Sequence, residues 1–480
     1  MKTIFMTISR GGTARNLLQS EVFSALKESG NKLVIIAPAS EDGTFQKLCD
    51  APNIHLEKMV ELPWRWADRV LVGIHKGLIY NKSTMFRDKF GIYDPKEGSM
   101  FKYWMRKIFI APFSKSKSLK RFARKLDKVI APARHYEEIF SKHKPDVLFS
   151  TSMIEDQEVE IMKQAEAHGV PIIAMPKTWD NPSKINLRVK PNKIIVWGEY
   201  SRDEVVKYSA IDEKDIEVCG IPQFDTYRNI DLIDTREEFC TKWGFDPNKK
   251  IIVFGSEGRI TPQDKDIASQ IAAWVKNGGI ENSQLFIRPH FMYPEDPKKF
   301  KNIEAQENVK VDNSWNRIDG FRDNWDYSMK QISHFANLMV HADLMITTGS
   351  TLSIDAAATD TPVINIYFDT PDPKPFNESV RRWYTSEHYS HVLETGAVSL
   401  AHSMEELKEY TKRYLKTPSI RQQQRKNLIE KFGYKNDGKS AERIAASVLA
   451  FIGEEPKSHT HHDSVLITKS EKQEQKVMSN

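Results

Sequence analysis

Three short segments place phosphate-binding chemistry at the ends of apolar runs. In Leu344–Ala357 (LMITTGSTLSIDAA) a buried type of strand closes in the small turn Gly349-Ser350-Thr351, and a helix opens at once. Free backbone N–H groups and the positive end of the helix dipole make such a turn an anion site, and Ser350, Thr351 and Ser353 add hydroxyl donors. The bland alternative is that Ser350 or Thr351 only caps the helix. In Phe286-Ile287-Arg288-Pro289-His290 a strand delivers two polar side chains around a rigid proline. Arg288 suits bidentate contact with a phosphate, and His290 can hydrogen-bond one or act as an acid near neutral pH. In Phe254-Gly255-Ser256-Glu257-Gly258-Arg259 two glycines permit close backbone approach and Arg259 adds charge. This loop is not GxGxxG and lacks the Lys-Ser/Thr of a P-loop, which weakens dinucleotide and ATP-hydrolase readings. Arg10-Gly11-Gly12-Thr13 is its counterpart near the N-terminus.

A transfer reaction to a hydroxyl also needs a base. Glu155 and Asp156 follow the run Asp146–Thr151 (DVLFST), and Asp180 lies in Lys177-Thr178-Trp179-Asp180-Asn181-Pro182. Each stands at the end of an expected strand, where a carboxylate could deprotonate an acceptor. Glu155 and Asp156 could instead serve only to favour the start of their helix.

The elements that must carry these segments read as strand–helix alternations. Thr3–Ile8, Lys32–Pro38, Asp146–Thr151, Pro171–Met175, Lys193–Trp197 and Ile216–Cys219 are the strand-like runs of a first series. Helical spacing separates several of them, at Leu17–Leu26, Glu155–His168 and Ser201–Ser209. The pattern breaks at Gly220–Tyr227, and a second series begins with strands at Lys250–Phe254, Gln284–Ile287, Asp343–Thr347 and Pro362–Ile366. Helices are expected between them at Pro262–Lys276, Tyr327–His341 and Thr351–Thr359. Further helices are expected at Met404–Leu415, Ile420–Phe432 and Ser440–Ile452. Buried strands alternating with helices imply parallel sheets with right-handed crossovers, hence two doubly wound domains. The expected divisions are 1–222 for the first domain, with an insertion at about 60–130, and 228–435 for the second. A final helix follows at 438–452, then a polar tail at 453–480 expected to be disordered. His459, His461 and His462 in that tail read as solvated rather than metal-binding.

Composition narrows the classes. With 480 residues, 40% hydrophobic and 28% charged, the chain has room for two cores. No run of about 20 apolar residues could span a bilayer, and the N-terminus reads as a first strand rather than a signal peptide. Cys49, Cys219 and Cys240 are widely spaced, which suits a reducing compartment and argues against a disulfide framework or zinc site. The net charge of +5 conceals an asymmetry. Phe101–Lys128 holds ten Lys/Arg and one acid, a local balance of +9, so the rest of the chain sums to −4. Cations there interleave with Tyr103, Trp104, Ile108, Phe109 and Phe113, the texture of an interfacial segment on an anionic membrane. Lys117, Lys120, Arg121 and Arg124 are the expected contacts. No nucleic-acid recognition module accompanies the patch.

Several motifs together resemble GT-B-type enzymes of surface-polysaccharide assembly. These include polysaccharide glycosyltransferases, CDP-glycerol glycerophosphotransferases and UDP-N-acetylglucosamine 2-epimerases. The resemblance rests on TWDN (Thr178–Asn181), VWGEYSRDE (Val196–Glu204), GIPQFDTY (Gly220–Tyr227) and RPH (Arg288–His290). It continues in TTGSTLSIDAAATDTPVI (Thr347–Ile364) and GYKNDGKSAERIA (Gly433–Ala445), covering about Phe149 to Ile452. It implies a GT-B fold: two Rossmann-like domains facing a cleft, with a last helix crossing back to the first. It also implies nucleotide binding by the second domain, with phosphate on the Ser/Thr turn and His290, and Asp355 near the ribose. Two departures stand out: Pro289-His290-Phe291 replaces the usual His-Pro, and Thr361 follows Asp360 where a small turn residue is common. No DxD-type metal signature stands out, so no metal or cofactor is expected, and the nucleotide-activated donor enters as substrate.

The expected activity is glycosyl transfer from a nucleotide sugar to a glycan or lipid-linked hydroxyl, by a cytoplasmic enzyme on the inner face of the membrane. Polyol-phosphate transfer from a CDP-polyol is the alternative, followed by a UDP-sugar 2-epimerase and a catalytically dead scaffold. The basic segment favours a transferase over the epimerase.

Overall fold

The computed structural model describes residues 1–63, 65–91 and 97–454. The expected disordered tail, with its three histidines, lies outside the described residues beyond Glu454.

The apolar runs of the first series become β1 (Thr3–Thr7), β2 (Lys32–Ala37), β4 (Val147–Ser150), β5 (Ile172–Ala174), β6 (Lys193–Val196) and β7 (Ile216–Val218). With β3 (Ile54–Lys58) they form a seven-stranded sheet in the order β3-β2-β1-β4-β5-β6-β7. The second series becomes β8 (Lys250–Gly255), β9 (Ser283–Arg288), β11 (Leu344–Thr347) and β12 (Val363–Ile366). Joined by β10 (Val309–Val311) and β13 (Val398–Ala401), they form a six-stranded sheet ordered β10-β9-β8-β11-β12-β13. Every pairing in both sheets is parallel. Helices cover both faces, so the central strands are buried on two sides, and Ile251–Phe254 and Leu33–Ala37 are fully enclosed. Each such aliphatic side chain contributes about 1.5–3 kcal/mol by leaving water.

Strand order reverses between β1 and β4 in the first sheet and between β8 and β11 in the second. Such switch points leave crevices at the carboxyl ends of the strands, where ligands collect. The glycine turn Arg10–Thr13 and Glu155 stand at the first reversal. Gly255–Glu257 and Thr347–Thr351 stand at the second.

The last helix, Ser440–Phe451, crosses back to the first domain and packs on helix Glu21–Glu28. Its start is fixed at the junction. The Asp225 carboxylate accepts from the Ser440 and Ala441 N–H groups at 3.1 and 2.7 Å, and Arg443 donates to the Cys219 carbonyl at 2.8 Å. Gly220 supports this with φ +98°, and a Cβ there would collide with Ser440.

Candidate active site

The turn after β11 is built as the sequence suggests. β11 ends at Thr347, helix Leu352–Ala358 follows, and Gly349 adopts φ +32° between them. The Gly349 N–H donates to the Tyr384 hydroxyl at 3.0 Å, and Thr348 Oγ1 is buried without a partner. Parallel pairing of β8 with β9 and β11 lays Glu257 and Arg288 beside this turn. Glu257 hydrogen-bonds Ser350, and burial with Asp264 nearby pushes its carboxyl up to about 8, so it is mainly neutral at pH 7. Ser256 Oγ donates to Asp264 at 2.8 Å, which shapes the Gly255–Arg259 loop from behind. Arg259 is exposed at the rim, its guanidinium 5.4 Å from the Tyr293 ring.

Arg288 is the most informative of the expected residues. It is 5% exposed, its Nε has no hydrogen-bond partner, and its guanidinium lies over Trp315 and Phe335 at 4.9 and 4.8 Å. Asp312, Asp355 and Glu257 lie near enough to favour its charge, but a buried cation with an unpartnered Nε between aromatic faces is poised for an anion. Arg15, from helix Gly11–Leu18 of the first domain, joins it. Arg15 is 8% exposed, donates to Gln223 at 2.6 Å and sits 4.3 Å over Trp325. The two guanidiniums are close enough to repel, and burial lowers both, Arg15 to about 10.

His290 has a different character from its sequence role. Its ring stacks on Phe291 at 5.1 Å, its backbone N–H donates to Asp296 at 2.7 Å, and burial beside Arg288 lowers the imidazole to about 4. It is a neutral imidazole at pH 7, able to hydrogen-bond but not to serve as a standing acid. Asp355 lies beneath the turn, where its carboxylate accepts from Gln223 and the Tyr227 hydroxyl, both at 2.7 Å. Ser353 is likewise buried, 2.9 Å from the Tyr389 hydroxyl. Both tie the second domain together or to the junction.

The three carboxylates of the first domain part company. Glu155 is bracketed by Arg10 and Lys177, each at 2.7 Å. Asp156 pairs with Arg188 at 3.2 Å, and burial raises its carboxyl. Only Asp180 is carried to the second-domain turn, because Trp179 Nε1 donates to Thr351 Oγ1 at 3.4 Å. Despite its burial, Asp180 is held well below the usual carboxylate range by Lys184 at 2.5 Å and by His388. His388 packs on Trp179 at 5.1 Å and is lowered by burial, so a neutral imidazole stands beside an ionised carboxylate.

Sequence reasoning missed Arg15, Asp323, Trp315, Trp325 and His388. The segment between β10 and helix Met329–His341 reaches across to the first domain. There the Asp323 carboxylate accepts from the Gly11 and Gly12 N–H groups at 2.8 and 3.2 Å. Phe321 and Tyr327 pack on Phe45 at 5.7 and 6.2 Å. The glycine turn is therefore filled by the protein's own acid.

Solved structures with this arrangement include the UDP-GlcNAc 2-epimerase of Neisseria meningitidis bound to UDP-GlcNAc. It is 12% identical with a TM-score of 0.55, over 93% of this chain and 100% of that one. S. aureus MnaA in a co-structure with UDP matches at 12% identity and TM-score 0.52, over 96% and 100%. Likeness at this identity shows the fold, which is GT-B. No curated protein matches in sequence. A family model does match, over residues 162–450, which is more than half of the chain and includes Asp180, Arg288 and the Ser350 turn. The chain thus belongs to the family described as CDP-Glycerol:Poly(glycerophosphate) glycerophosphotransferase.

Proposed function

We propose that this chain transfers a polyol phosphate from a nucleotide-diphosphate donor of the CDP-polyol kind to a hydroxyl of a membrane-bound acceptor. One observation carries the reading. Two buried guanidiniums from opposite domains, Arg288 and Arg15, converge beside the Ser350–Thr351 turn, and Arg288 Nε is without a partner. Attack at phosphorus spreads negative charge over the phosphoryl oxygens, which preorganised cations stabilise. Membership of a glycerophosphotransferase family supports the same choice over the sugar transfer expected from the sequence. In the reaction the acceptor oxygen forms a bond to the polyol-bearing phosphorus. The bond from that phosphorus to the bridging oxygen breaks, and nucleoside monophosphate leaves. The Asp180–His388 pair takes the hydroxyl proton, the ionised carboxylate stabilising the imidazolium that forms.

Product analysis tests the class of transfer. With CDP-glycerol as donor, CMP should appear together with a new phosphodiester. Release of nucleoside diphosphate from a nucleotide sugar, with no CMP from CDP-glycerol, would restore glycosyl transfer. Asp180→Asn should lower turnover about 100- to 10,000-fold with little change in donor affinity. Unchanged turnover would return the base to Asp156 or Glu155.

The acceptor side is a face of the first domain that reads inside-out. Helix Lys117–Ile130 buries Lys120, Ala123, Arg124 and Asp127, and exposes Phe122 and Val129 at 59% and 77%. Lys120 donates to the Lys207 carbonyl at 3.0 Å and Arg124 to the Ser209 carbonyl at 2.7 Å. This corrects the expectation that both meet a membrane. Asp127 is pinned by Lys163, His75 and Arg188. Next to this helix Phe101, Trp104, Ile108, Phe109 and Phe113 are exposed, with Lys102, Lys107, Lys115, Lys117, Arg121 and Lys125 interspersed. Among the described residues no helix is long and apolar enough to cross a membrane. Outward aromatic and aliphatic side chains mixed with cations fit peripheral docking on an anionic bilayer. Flotation with anionic vesicles should retain the protein, and Phe109→Ser with Phe113→Ser should release it. No flotation at low salt would remove this surface from the reading.

A further inference from the structure

Behind the Asp180 loop the two domains meet again, through helix Glu199–Ser209 of the first and helix Glu387–Glu394 of the second. Glu204, Glu387 and His391 there each offer a donor atom, and these atoms lie within 4.8 Å of one another. Glu387 and His391 stand one turn apart on one helical face. Glu204 and Glu387 are 3% and 7% exposed, and two buried carboxylates side by side are relieved by a proton on one of them or by a cation between them. In this structure the Lys207 ammonium supplies one, 3.0 Å from Glu387 and 3.9 Å from Glu204, on a side chain 55% exposed and free to swing into water. Glu387 also accepts from the Tyr208 hydroxyl at 2.9 Å and the Lys82 N–H at 3.1 Å, so the poorly satisfied member of the cluster is Glu204. On the other side the buried Glu204 carboxylate has only the neighbouring Tyr200 and Ser183 hydroxyls, in contacts too poorly aligned to satisfy Oε2, and the Tyr200 ring faces His391 at 5.2 Å. On the far side of the imidazole, Nδ1 lies 2.7 Å from the Glu394 carboxylate. A carboxylate in that position draws the ring proton to Nδ1 and leaves the Nε2 lone pair for a ligand, the outer support that metal-binding histidines usually have.

We propose that Glu204, Glu387 and His391 form a site for a divalent transition-metal ion of the zinc class, clasping the two domains together. Two carboxylates and one imidazole are oxygen and nitrogen donors suited to such an ion, and three protein ligands leave a position for water or the Tyr200 hydroxyl. The ion's charge balances both carboxylates and releases Lys207. His388 lies on the same helix between two of the ligands, so the ion fixes where that imidazole stands against Asp180. Metal binding here does not require the donor or the reaction assigned above, although it bears on the Asp180–His388 pair.

The test uses the full chain, stripped with a chelator and titrated with Zn²⁺, the bound metal being counted by mass spectrometry after gel filtration. Because His459, His461 and His462 could bind zinc on their own, the titration is repeated with all three changed to Ala. One equivalent should remain in that background, and Glu204→Gln or His391→Ala should weaken it at least tenfold. In the same tail-substituted background Co²⁺ should give a visible ligand-field band, lost in both variants. Zn²⁺ should raise the melting temperature of the parent but not of Glu204→Gln. His391→Gln serves as a further variant if either of the others fails to fold. Absence of a stoichiometric equivalent once the tail histidines are replaced would overturn the site. So would an equivalent that Glu204→Gln and His391→Ala both keep.

Discussion

The turn after β1 and the turn after β11 are built alike and used differently. Each follows a central parallel strand at a reversal of strand order, and each opens a helix whose first N–H groups face the cleft. At the first, Asp323 from the other domain already accepts from Gly11 and Gly12, and Arg10 is spent on Glu155. At the second, Thr348 Oγ1 and Arg288 Nε are buried without partners. A helix N-terminus favours an anion, but the surrounding residues decide whether that anion is a ligand or a side chain. The first turn has become a latch between domains, and the second keeps the unpartnered donors that the proposed phosphate site requires.

The strongest way to break this contrast is to remove the open site's cation. Arg288→Ala should lower turnover roughly 100- to 1,000-fold, the scale seen when one preorganised donor to a developing oxyanion is lost. Retained activity would mean that the phosphate lies elsewhere. Next, Ser350→Ala with Thr351→Ala should weaken donor binding by about 1–3 kcal/mol in calorimetry, as for hydrogen bonds to charged groups. The matching change at the closed turn, Asp323→Ala, should cost about 1–2 kcal/mol of thermal stability and leave donor affinity unchanged. A rise in donor affinity there would instead make Asp323 a competitor for ligand phosphate.

The smallest effect sharpens the open turn through pH. Glu257 is raised to about 8 in the free protein, and an anion beside it favours the protonated acid. Donor binding therefore takes up protons and should weaken as pH rises through about 8. Glu257→Gln should flatten that alkaline decline, and an unaltered decline would place Glu257 away from the phosphate.

The sequence discloses the strands that are buried on both faces and, of the four at the sheet edges, only β7. β1, β2, β8 and β11 are continuous apolar runs because helices cover them twice. β3 (IHLEK) and β10 (VKV) pair on one side only and are short and mixed in character, so no periodicity marks them. The same logic divides the site. Ser350, Arg288 and Glu257 were legible because they sit at the ends of legible strands. Asp323 and Trp325 were not, since an irregular segment carries them to partners some 310 residues away. Helix Lys117–Ile130 shows a different failure. Its cations were counted correctly, but Lys120 and Arg124 turn inward because carbonyls at Lys207 and Ser209 await them. Composition records charge and says nothing of direction.

The returning helix Ser440–Phe451 sets the order in which the protein can be completed during synthesis. Val22 and Leu26 on helix Glu21–Glu28 belong to the same core as Ile444 and Val448, more than four hundred residues later. A ribosome making this chain will have released both sheets before the groove on the first is closed. The first domain is thus begun first and finished last, with an uncovered apolar strip that chaperones can bind throughout translation.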